Sequence, residues 1–473
     1  MSLTVAAVDL GATSGRVMVG RAGAGELSLR QVARFPNGPV QRADGLHWDF
    51  EALYGHVVAG LREAGRTAEI AGVGIDSWAV DYGLLRGGAL LGDPFHYRDG
   101  RTAAGVDAVH AVIPHRALYA RSGLQFLPFN TVYQLAADRL AGRFDGPDAA
   151  DRMLLIPDLI AHRLTGAQRA EITNASTTGL LTTGRVWDRE LIDLLGLPAS
   201  LFAPLIAPGE RIGLLTAESV SAVGFSAPVT AAASHDTASA VVATPLGDDA
   251  VFLSCGTWGL VGLETGAPIV TEASRAANFT NEGGAFGTTR FLRNVMGLWL
   301  LNESVATWRS RGEAADLPTL LAAAADEDVA YTMFDVDDPV FGAPGDMPAR
   351  IETYCRQHDL AVPDGPVAMV RSIVESLAAA YARTAHQAAD LAGRTVGVIH
   401  VVGGGALNAL LCQRTADRSG VTVVAGPVEA TALGNVLIQA QAAGAVPTDL
   451  GALRDLVARH TAIRRYTPAT AHR

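Results

Sequence analysis

The sequence predicts an α/β protein built from two related halves. Residues 4–10 form a buried apolar run that ends in a glycine turn, and a second apolar run begins at residue 16. Residues 250–254 repeat this arrangement about 245 residues later, followed by a glycine turn at 255–259. Two strands that flank a short glycine-containing turn are typical of a β-hairpin. The recurrence of the whole unit indicates a duplicated architecture.

Helical patterns alternate with these strands. Residues 372–391 and 291–308 both carry apolar side chains at helical spacing, and we predict a helix over each. Residues 396–402 form another apolar run, which ends in the glycine triplet 403–405 and continues as an apolar helical pattern. Strands that alternate with helices in this way are typical of α/β proteins.

Composition narrows the class of function. The 473 residues include 37 basic and 48 acidic side chains, a net charge of −11, with 49% hydrophobic residues. A large core is therefore available, and the acidic balance argues against nucleic acid as a partner. The first residues lack the basic region of a signal peptide, and no apolar run is long enough to span a bilayer. We expect a cytoplasmic protein without a membrane or nucleic-acid partner.

The chain contains no lysine, so all of its 37 basic residues are arginine. This excludes a P-loop kinase, a protein kinase and any Schiff-base mechanism, because each needs an amine side chain. The three cysteines lie far apart without a CxxC pair, so neither a disulfide framework nor a zinc site is expected.

The first glycine turn is a candidate phosphate site. Gly11 and Gly15 permit a turn with positive φ in which backbone amides approach an anion, and Thr13 and Ser14 add hydroxyl donors. Asp9 ends the buried strand, where a magnesium ion bound through water would account for its carboxylate. The alternative is an ordinary hairpin with a capping aspartate.

Two further glycine turns favour the phosphate interpretation. Gly256-Thr257 and Gly403–Gly405 each follow a predicted strand. Two hairpin turns and one strand-to-helix turn are sufficient to hold a phosphate chain from two sides and an adenosine from a third.

The segment His235-Asp236-Thr237 is placed at a predicted strand-to-helix junction, where side chains face a cleft. Phosphoryl transfer to an alcohol needs a carboxylate within hydrogen-bond reach of the hydroxyl. Asp236 is the candidate base, and the alternative is that Asp236 is only a helix N-cap.

A sugar site is suggested by Asp76, Trp78 and Asp81, where a ring face lies beside carboxylates. The alternative is a core tryptophan whose N–H is satisfied internally. Residues 278–284 and Arg293-Asn294 are weaker candidates for function.

These motifs resemble those of the FGGY carbohydrate kinases. The resemblance rests on DLGATSGR at 9–16, GIDSWAVDY at 74–82, SHDTASAV at 234–241, SCGTWGLVG at 254–262 and the glycine triplet before ALNALL. It spans nearly the whole chain, and segments such as 164–181, 281–301 and 425–435 are most similar to the branch of the family that acts on L-rhamnulose.

The resemblance implies a fold and a division of the chain. It implies an α/β protein of two actin-like ATPase (ribonuclease H-like) domains with a central interdomain cleft. Residues 1–244 would form the N-terminal domain, with the sugar site and the first phosphate turn. Residues 245–465 would form the C-terminal, nucleotide-binding domain.

The resemblance also implies a reaction, in which the γ-phosphate of MgATP passes to the 1-hydroxyl of L-rhamnulose. Asp236 would be the catalytic base, Asp9 is the candidate for magnesium, and the partners are a ketose and ATP. The implied substrate contacts are Ala79, His235, Asp236, Thr237 and Asn294. The implied nucleotide contacts are Ala12, Thr13, Ser14, Gly15, Arg16, Thr257, Asn302 and Gly404. Asn302 replaces the usual glutamine, and Ala79 replaces the glycine of the family's TWG sugar motif.

Three alternatives remain at this point. The sugar could be another ketose, such as L-fuculose or L-xylulose. The protein could be a non-catalytic, nucleotide-dependent sugar sensor, although the intact HDT sequence argues against it. A hydrolase that uses His235 and Asp236 lacks the GxSxG motif of a serine nucleophile.

Overall fold

The structure is a computed structural model that describes residues 2–23, 25–313 and 315–469. The chain forms two compact units. Unit 1 contains the residues up to Pro245 together with Glu264–Phe291 and Ala430–His460. Unit 2 contains Leu246–Leu263, Leu292–Glu429 and the residues from Thr461. The domains 1–244 and 245–465 stay a prediction.

The strands are Leu3–Leu10 (β1), Ser14–Gly23 (β2), Glu26–Pro36 (β3), Pro39–Arg42 (β4), Gly45–Trp48 (β5), Val73–Ser77 (β6), Tyr82–Arg86 (β7), Ala89–Leu90 (β8), Arg152–Leu155 (β9), Ala170–Glu171 (β10), Leu205–Ile206 (β11), Arg211–Leu214 (β12), Pro228–Thr230 (β13), Ala250–Cys255 (β14), Trp258–Thr265 (β15), Thr280–Gly283 (β16), Thr289–Met296 (β17), Val398–Val402 (β18), Thr422–Ala425 (β19) and Arg464–Tyr466 (β20).

The α-helices are Phe50–Thr67 (α1), Thr102–Val112 (α2), His115–Ser122 (α3), Thr131–Leu140 (α4), Ile156–Thr165 (α5), Ile172–Ala175 (α6), Arg189–Leu194 (α7), Ala217–Val223 (α8), Asp236–Val242 (α9), Glu272–Ala276 (α10), Trp299–Ser310 (α11), Leu317–Ala324 (α12), Met347–Gln357 (α13), Gly365–Ala392 (α14), Ala409–Ser419 (α15), Ala430–Ala442 (α16) and Leu450–His460 (α17).

The main sheet of unit 1 has the strand order β12-β13-β6-β1-β2-β3. Strands β1, β2 and β3 are joined as antiparallel hairpins, whereas β6 pairs in parallel with both β1 and β13. Strand β12 closes the other edge in an antiparallel pairing. Strand β6 is fully buried, and β1 is buried along most of its length, because helices cover this part of the sheet.

Unit 2 repeats this strand order. Its strands run β20-β19-β18-β14-β15-β17, and β16 follows β17 as the seventh strand of this sheet. Strands β14 and β15 form an antiparallel hairpin, β18 and β19 follow in parallel, and β20 closes the edge in an antiparallel pairing. The recurrence of one pattern of parallel and antiparallel neighbours confirms the predicted duplication.

The core of unit 1 depends on close contact between helix α16 and the sheet. Helix α16 packs on β1, β2 and β6. A methyl group on Gly20 of β2 would lie 2.3 Å from the side chain of Val436, so only glycine fits at this contact. The segment Ala430–His460 thereby belongs to the same unit as the N-terminal strands.

Most of the predicted elements are confirmed, but one helix is wrong in its first half. The runs 4–10, 250–254 and 396–402 are strands, and residues 372–391 lie within α14. Residues 289–296 form strand β17 instead of a helix, and α11 begins only at Trp299. The reason lies at Gly297, where a methyl group would approach the backbone of Trp258 to 2.5 Å. The chain turns at this contact, and the helix starts after it.

Two expectations from composition can be compared with the structure. All three cysteines are buried and form no disulfide. Among the helices of the described residues, none is both long enough and apolar enough to cross a membrane.

Candidate active site

Strands β1 and β6 bring two acidic residues to one edge of the sheet in unit 1, and a third lies at the start of helix α9. Their register pairs Asp9 with Asp76, one residue before each strand ends. The backbone N–H of Ser77 donates to the carbonyl oxygen of Ser234 at 2.9 Å. Asp236 follows two residues later, at the start of α9. The carboxyl ends of parallel strands are the usual place for ligands in α/β sheets, and the predicted acidic residues meet there.

Negative charge accumulates at this edge. Asp76 is fully buried, and its pKa is raised well above the usual value by burial and by the charges of Asp9 and Asp236. The side chain of Asn435 donates to Asp76 Oδ2 at 2.6 Å, but no described residue donates a hydrogen bond to Oδ1. Arg16 lies 3.3 Å from Asp9 and offsets part of this charge. A further cation would stabilise the cluster.

Asp236 presents one fixed and one open carboxylate oxygen. The backbone N–H and the hydroxyl of Thr237 donate to Oδ1 at 2.5 and 3.1 Å. No described group donates a hydrogen bond to Oδ2, and the side chain is 32% exposed. The N-cap of helix α9 is His235, so the interpretation of Asp236 as the N-cap is wrong. The open oxygen is available to a hydroxyl group.

His235 is held between buried charges. Its Nε2 lies 3.4 Å from Asp236 Oδ1, and its Nδ1 accepts a hydrogen bond from Arg290 Nη2 at 3.0 Å. Glu282 Oε2 lies 3.4 Å from the same Nδ1 and 3.0 Å from Arg290 Nη1. Sequence reasoning missed Arg290, and it included Glu282 only within a weak segment. A charged residue directly before the apolar pair Phe291-Leu292 was the available signal.

A second buried acid, Glu171, fixes the backbone before His235. Its Oε2 accepts hydrogen bonds from the backbone N–H and the hydroxyl of Ser234, at 2.9 and 2.8 Å. Its Oε1 accepts from the backbone N–H of Thr173 at 2.9 Å. Burial raises the pKa of Glu171. Sequence reasoning gave Glu171 no role, because its contact with Ser234 joins residues that are 63 positions apart.

The first predicted phosphate turn, Ala12–Arg16, includes the end of the connection between β1 and β2 and the first three residues of β2. The backbone N–H of Gly11 donates to the carbonyl oxygen of Ser14 at 3.0 Å, and the side chain of Asn37 donates to the carbonyl oxygen of Gly11 at 2.8 Å. Thr13 at the tip is exposed. These two hydrogen bonds fix the backbone of the turn, while its exposed face is open to a ligand.

The predicted reason for the glycines in this turn is wrong. Neither Gly11 nor Gly15 has a positive φ. A methyl group on Gly15 would lie 2.2 Å from the ring of Phe35, and one on Gly11 would lie 3.1 Å from the carbonyl oxygen of Ser14. The glycines are required by close packing rather than by an unusual backbone conformation.

In unit 2 the two remaining glycine turns lie against each other. A methyl group on Gly405 would lie 2.3 Å from the sulfur of Cys255. Cys255 directly precedes the turn at Gly256-Thr257. The backbone N–H of Leu298 donates to the carbonyl oxygen of Gly256 at 2.9 Å, so helix α11 begins beside that turn. The predicted nucleotide contacts on these elements are Thr257, Asn302 and Gly404. They form one group around a helix N-terminus, where anions are favoured.

Replacing Gly297 by alanine tests this group. The new methyl group would lie 2.5–2.7 Å from backbone atoms of Gly256, Thr257 and Trp258, so the turn has to move. We expect the KM for ATP to rise about 10-fold, because small displacements of positioning groups are costly, with little change in the KM for the sugar. Gly266→Ala is the control, since no atom lies within 4 Å of its added methyl group. An unchanged KM for ATP would contradict the assignment of this turn.

The two remaining predicted sugar contacts lie in different units. Ala79 is half-buried in the turn after β6 in unit 1. The next residue, Val80, has φ +71°, a strained conformation for a β-branched residue. Asn294 is half-buried on β17 in unit 2, and its neighbour Arg293 donates to Asp337 at 3.1 Å.

Asp81 belongs to the core rather than to a sugar site. Its Oδ2 accepts hydrogen bonds from the indole N–H groups of Trp48 and Trp78 at 2.6 and 3.1 Å and from the backbone N–H of Tyr97 at 3.2 Å. Its Oδ1 accepts from the side chain of Gln134 at 3.0 Å. The carboxylate is fully buried and has four donors. The interpretation of Trp78 as a core tryptophan is therefore favoured.

Asp81 predicts a pH dependence of stability. Burial raises its pKa to about 6 in the folded protein, against about 4 when unfolded. The folded state therefore binds more protons between these values, and stability falls as pH rises from about 4 to about 6. We expect wild type to lose about 3 kcal/mol over this window relative to Asp81→Asn, as measured by denaturant unfolding at several pH values. The exposed Asp107→Asn is the control, and equal pH profiles of wild type and Asp81→Asn would contradict the expectation.

Comparison with known proteins places these groups in context. The profile of the FGGY family of carbohydrate kinases, N-terminal domain, matches residues 4–243, and that of the C-terminal domain matches residues 251–443. A protein of Bacteroides thetaiotaomicron named rhamnulokinase is 41% identical over 98% of this chain and 95% of its own length. A rhamnulokinase of Pectobacterium atrosepticum is 42% identical over 98% of this chain and 93% of its own.

A solved structure shows the same architecture. The crystal structure of gluconate kinase from Lactobacillus acidophilus superposes with a TM-score of 0.80 at 17% identity, covering 99% of this chain and 94% of that one. At this level of identity the likeness concerns the fold alone.

Proposed function

The chain belongs to the FGGY family of carbohydrate kinases, and on this premise we propose that it transfers the γ-phosphate of MgATP to the 1-hydroxyl of L-rhamnulose. The products are L-rhamnulose 1-phosphate and ADP. Because ATP is the phosphoryl donor, the proposal places the reaction in the cytoplasm.

The observation that carries the proposed mechanism is the open oxygen of Asp236. Thr237 holds Oδ1, while Oδ2 receives no hydrogen bond from the described residues and lies in a side chain that is 32% exposed. A sugar hydroxyl that donates to Oδ2 is oriented for attack, and Asp236 accepts its proton as the bond to phosphorus forms. His235 and Thr237 flank this carboxylate and are the proposed neighbouring sugar contacts.

The proposed phosphate contacts need no amine. In unit 1, residues 12–15 provide backbone and hydroxyl donors at a turn whose outer face is open. Arg16 adds a positive charge beside them. In unit 2 Thr257 and Gly404 lie beside the start of helix α11, and Asn302 is exposed in its first turn. Amides, hydroxyls and one guanidinium are sufficient to orient a triphosphate.

The acidic edge of unit 1 fits a hydrated magnesium ion. Its donors are carboxylate oxygens, which Mg²⁺ prefers, and the unpaired Oδ1 of Asp76 is one of them. No three His, Cys, Asp or Glu side chains of the described residues meet as direct ligands, so waters and phosphate oxygens would complete the coordination. Asp9 would hold the ion through water. When bound, Mg²⁺ neutralises the charge that develops on the transferred phosphate.

The choice of L-rhamnulose is supported by the relatives. Two proteins named rhamnulokinase are 41% and 42% identical over almost the whole chain. Ala79 stands where the family's TWG motif has glycine, so its methyl group lies in the turn that follows the acidic edge. A contact through the backbone of residue 79 tolerates this change.

A coupled assay of ADP release across ketoses tests the proposal. We expect the highest kcat/KM with L-rhamnulose, and lower values with L-fuculose and L-xylulose, because hydroxyl contacts discriminate strongly among sugars. A higher kcat/KM for another ketose would show that this ketose, and not L-rhamnulose, is the preferred substrate. ADP release that does not depend on any sugar would instead favour a nucleotide-driven sugar sensor.

A further inference from the structure

Arg290 is a buried cation in direct contact with the residue next to the proposed base. Its side chain has no exposed surface. Its Nε donates to the carbonyl oxygen of Gly283 at 2.9 Å, its Nη1 lies 3.0 Å from Glu282, and its Nη2 lies 3.0 Å from His235 Nδ1. Burying an arginine completely is costly unless its nitrogens are hydrogen-bonded, and one nitrogen of Arg290 is used on an imidazole.

The contact with Arg290 determines where His235 carries its proton. A guanidinium can only donate hydrogen bonds, so His235 Nδ1 is the acceptor and has no proton. In the neutral ring the proton is then on Nε2. That nitrogen faces Asp236 Oδ1 at 3.4 Å. The imidazole therefore carries its N–H on the nitrogen nearer to the carboxylate oxygen that Thr237 also contacts.

Glu282 makes the presence of Arg290 necessary. Its Oε2 lies 3.4 Å from the same Nδ1 of His235. Burial raises the pKa of Glu282, but its polar contacts, above all the charge of Arg290, outweigh this effect, so the pKa is lowered and the carboxylate is ionised. Without Arg290, this carboxylate would attract a proton to Nδ1. The neutral ring of His235 would then carry its lone pair on Nε2, the nitrogen nearer to Asp236.

We propose that Arg290 is a positioning residue that fixes His235 as the Nε2–H tautomer and thereby orients Asp236 for the reaction. The consequence for catalysis rests on the proposed function, whereas the tautomer does not. In this arrangement Thr237 and His235 both face Oδ1, and Oδ2 is left for the substrate hydroxyl. Loss of this arrangement changes the orientation of the base. We therefore expect kcat to fall while the KM for ATP stays unchanged.

The direct test is ¹⁵N NMR of the full-length protein labelled at histidine, with His235→Gln to identify the His235 signals. In wild type we expect a protonated Nε2 and an unprotonated Nδ1. In Arg290→Met we expect a proton on Nδ1, a fall in kcat of about 10-fold or more, and an unchanged KM for ATP. A proton on Nδ1 in the wild-type protein would overturn the proposal, whatever the variant does.

Two further variants separate positioning from stability. Arg371→Met removes the arginine of another buried pair, in which Arg371 lies 3.0 Å from the fully buried Glu375. We expect it to lower the melting temperature without altering the His235 signals. Glu282→Gln keeps the donor Arg290, so the Nε2–H tautomer should persist in it. If Arg290→Met does not fold, the His235 signals of wild type and of Glu282→Gln still test the proposal. Both proteins should then show a protonated Nε2 and an unprotonated Nδ1.

The tautomer and the reaction fail independently. The NMR measurement needs neither ATP nor sugar, so a wrong substrate or a wrong base leaves its result intact. If Arg290→Met changes the tautomer but retains wild-type kcat, the positioning role is overturned while the proposed phosphoryl transfer stands.

Discussion

Replacement of Asp236 by asparagine is expected to lower kcat at least about 10²-fold, the range found when a general base is removed. Asparagine keeps the shape of the side chain, and its carbonyl oxygen can still accept the two hydrogen bonds from Thr237. Only the ability to take a proton is lost. ATP binding should survive, because the proposed nucleotide contacts in unit 2 lie on other elements. The measurement is steady-state ADP release with L-rhamnulose, together with ATP binding by calorimetry.

A matched control makes this result interpretable. Asp193→Asn carries the same chemical change on an exposed residue of helix α7 and should keep wild-type kcat. Near-normal turnover in Asp236→Asn would remove Asp236 from the base role. Loss of ATP binding in that variant would show instead that the substitution disturbs the fold.

The motifs of this chain were predictable because they are local. The turn at 11–15 and its flanking strands, the turn at 255–259 and the glycine triplet at 403–405 each consist of consecutive residues. An apolar run interrupted by glycine restricts the backbone within a few positions, so its conformation is visible without the rest of the molecule. The family and the two-domain carbohydrate kinase fold, predicted from these motifs, are confirmed by the profile matches and the structural likeness.

The error at residues 291–308 shows where local patterns are insufficient. Leu292, Val295 and Met296 fit a helical stripe as well as a strand that is buried on both faces. The decision comes from Gly297, whose contact with the backbone of Trp258 is 39 positions away in sequence and allows no side chain. Sequence spacing alone contains no information about that contact.

The residues that support the proposed base were missed for a related reason. Glu171, Glu282 and Arg290 lie 47 to 63 positions from the residues that they contact at 234 and 235. A single charged residue in an apolar segment indicates a buried partner, but it does not identify that partner. Asp81 illustrates the opposite case, since four donors satisfy a carboxylate that the sequence associated with a sugar.

Replacement of Asp9 by asparagine is expected to lower kcat/KM for MgATP about 10- to 100-fold. This is the usual cost of losing a residue that holds a metal ion through an intervening group. The proposed contact is a carboxylate oxygen on bound water, and asparagine retains the size of the side chain but not its charge. The expected signature is a higher Mg²⁺ concentration for half-maximal activity, measured at fixed ATP and saturating sugar. Asp107→Asn, on an exposed face of helix α2, should leave this concentration unchanged.

The same substitution should not weaken the protein without metal, and this separates a magnesium role from a structural one. Burial and then the charge of Asp9 raise the pKa of Asp76, so the two carboxylates repel each other in the folded state. Asparagine at position 9 removes this repulsion, although it also removes the negative charge that lies 3.3 Å from Arg16. We therefore expect the melting temperature in chelator to stay constant or rise while activity falls. A large fall in melting temperature with an unchanged Mg²⁺ requirement would make Asp9 a structural residue, and the acidic edge would then have to hold its charge without the ion.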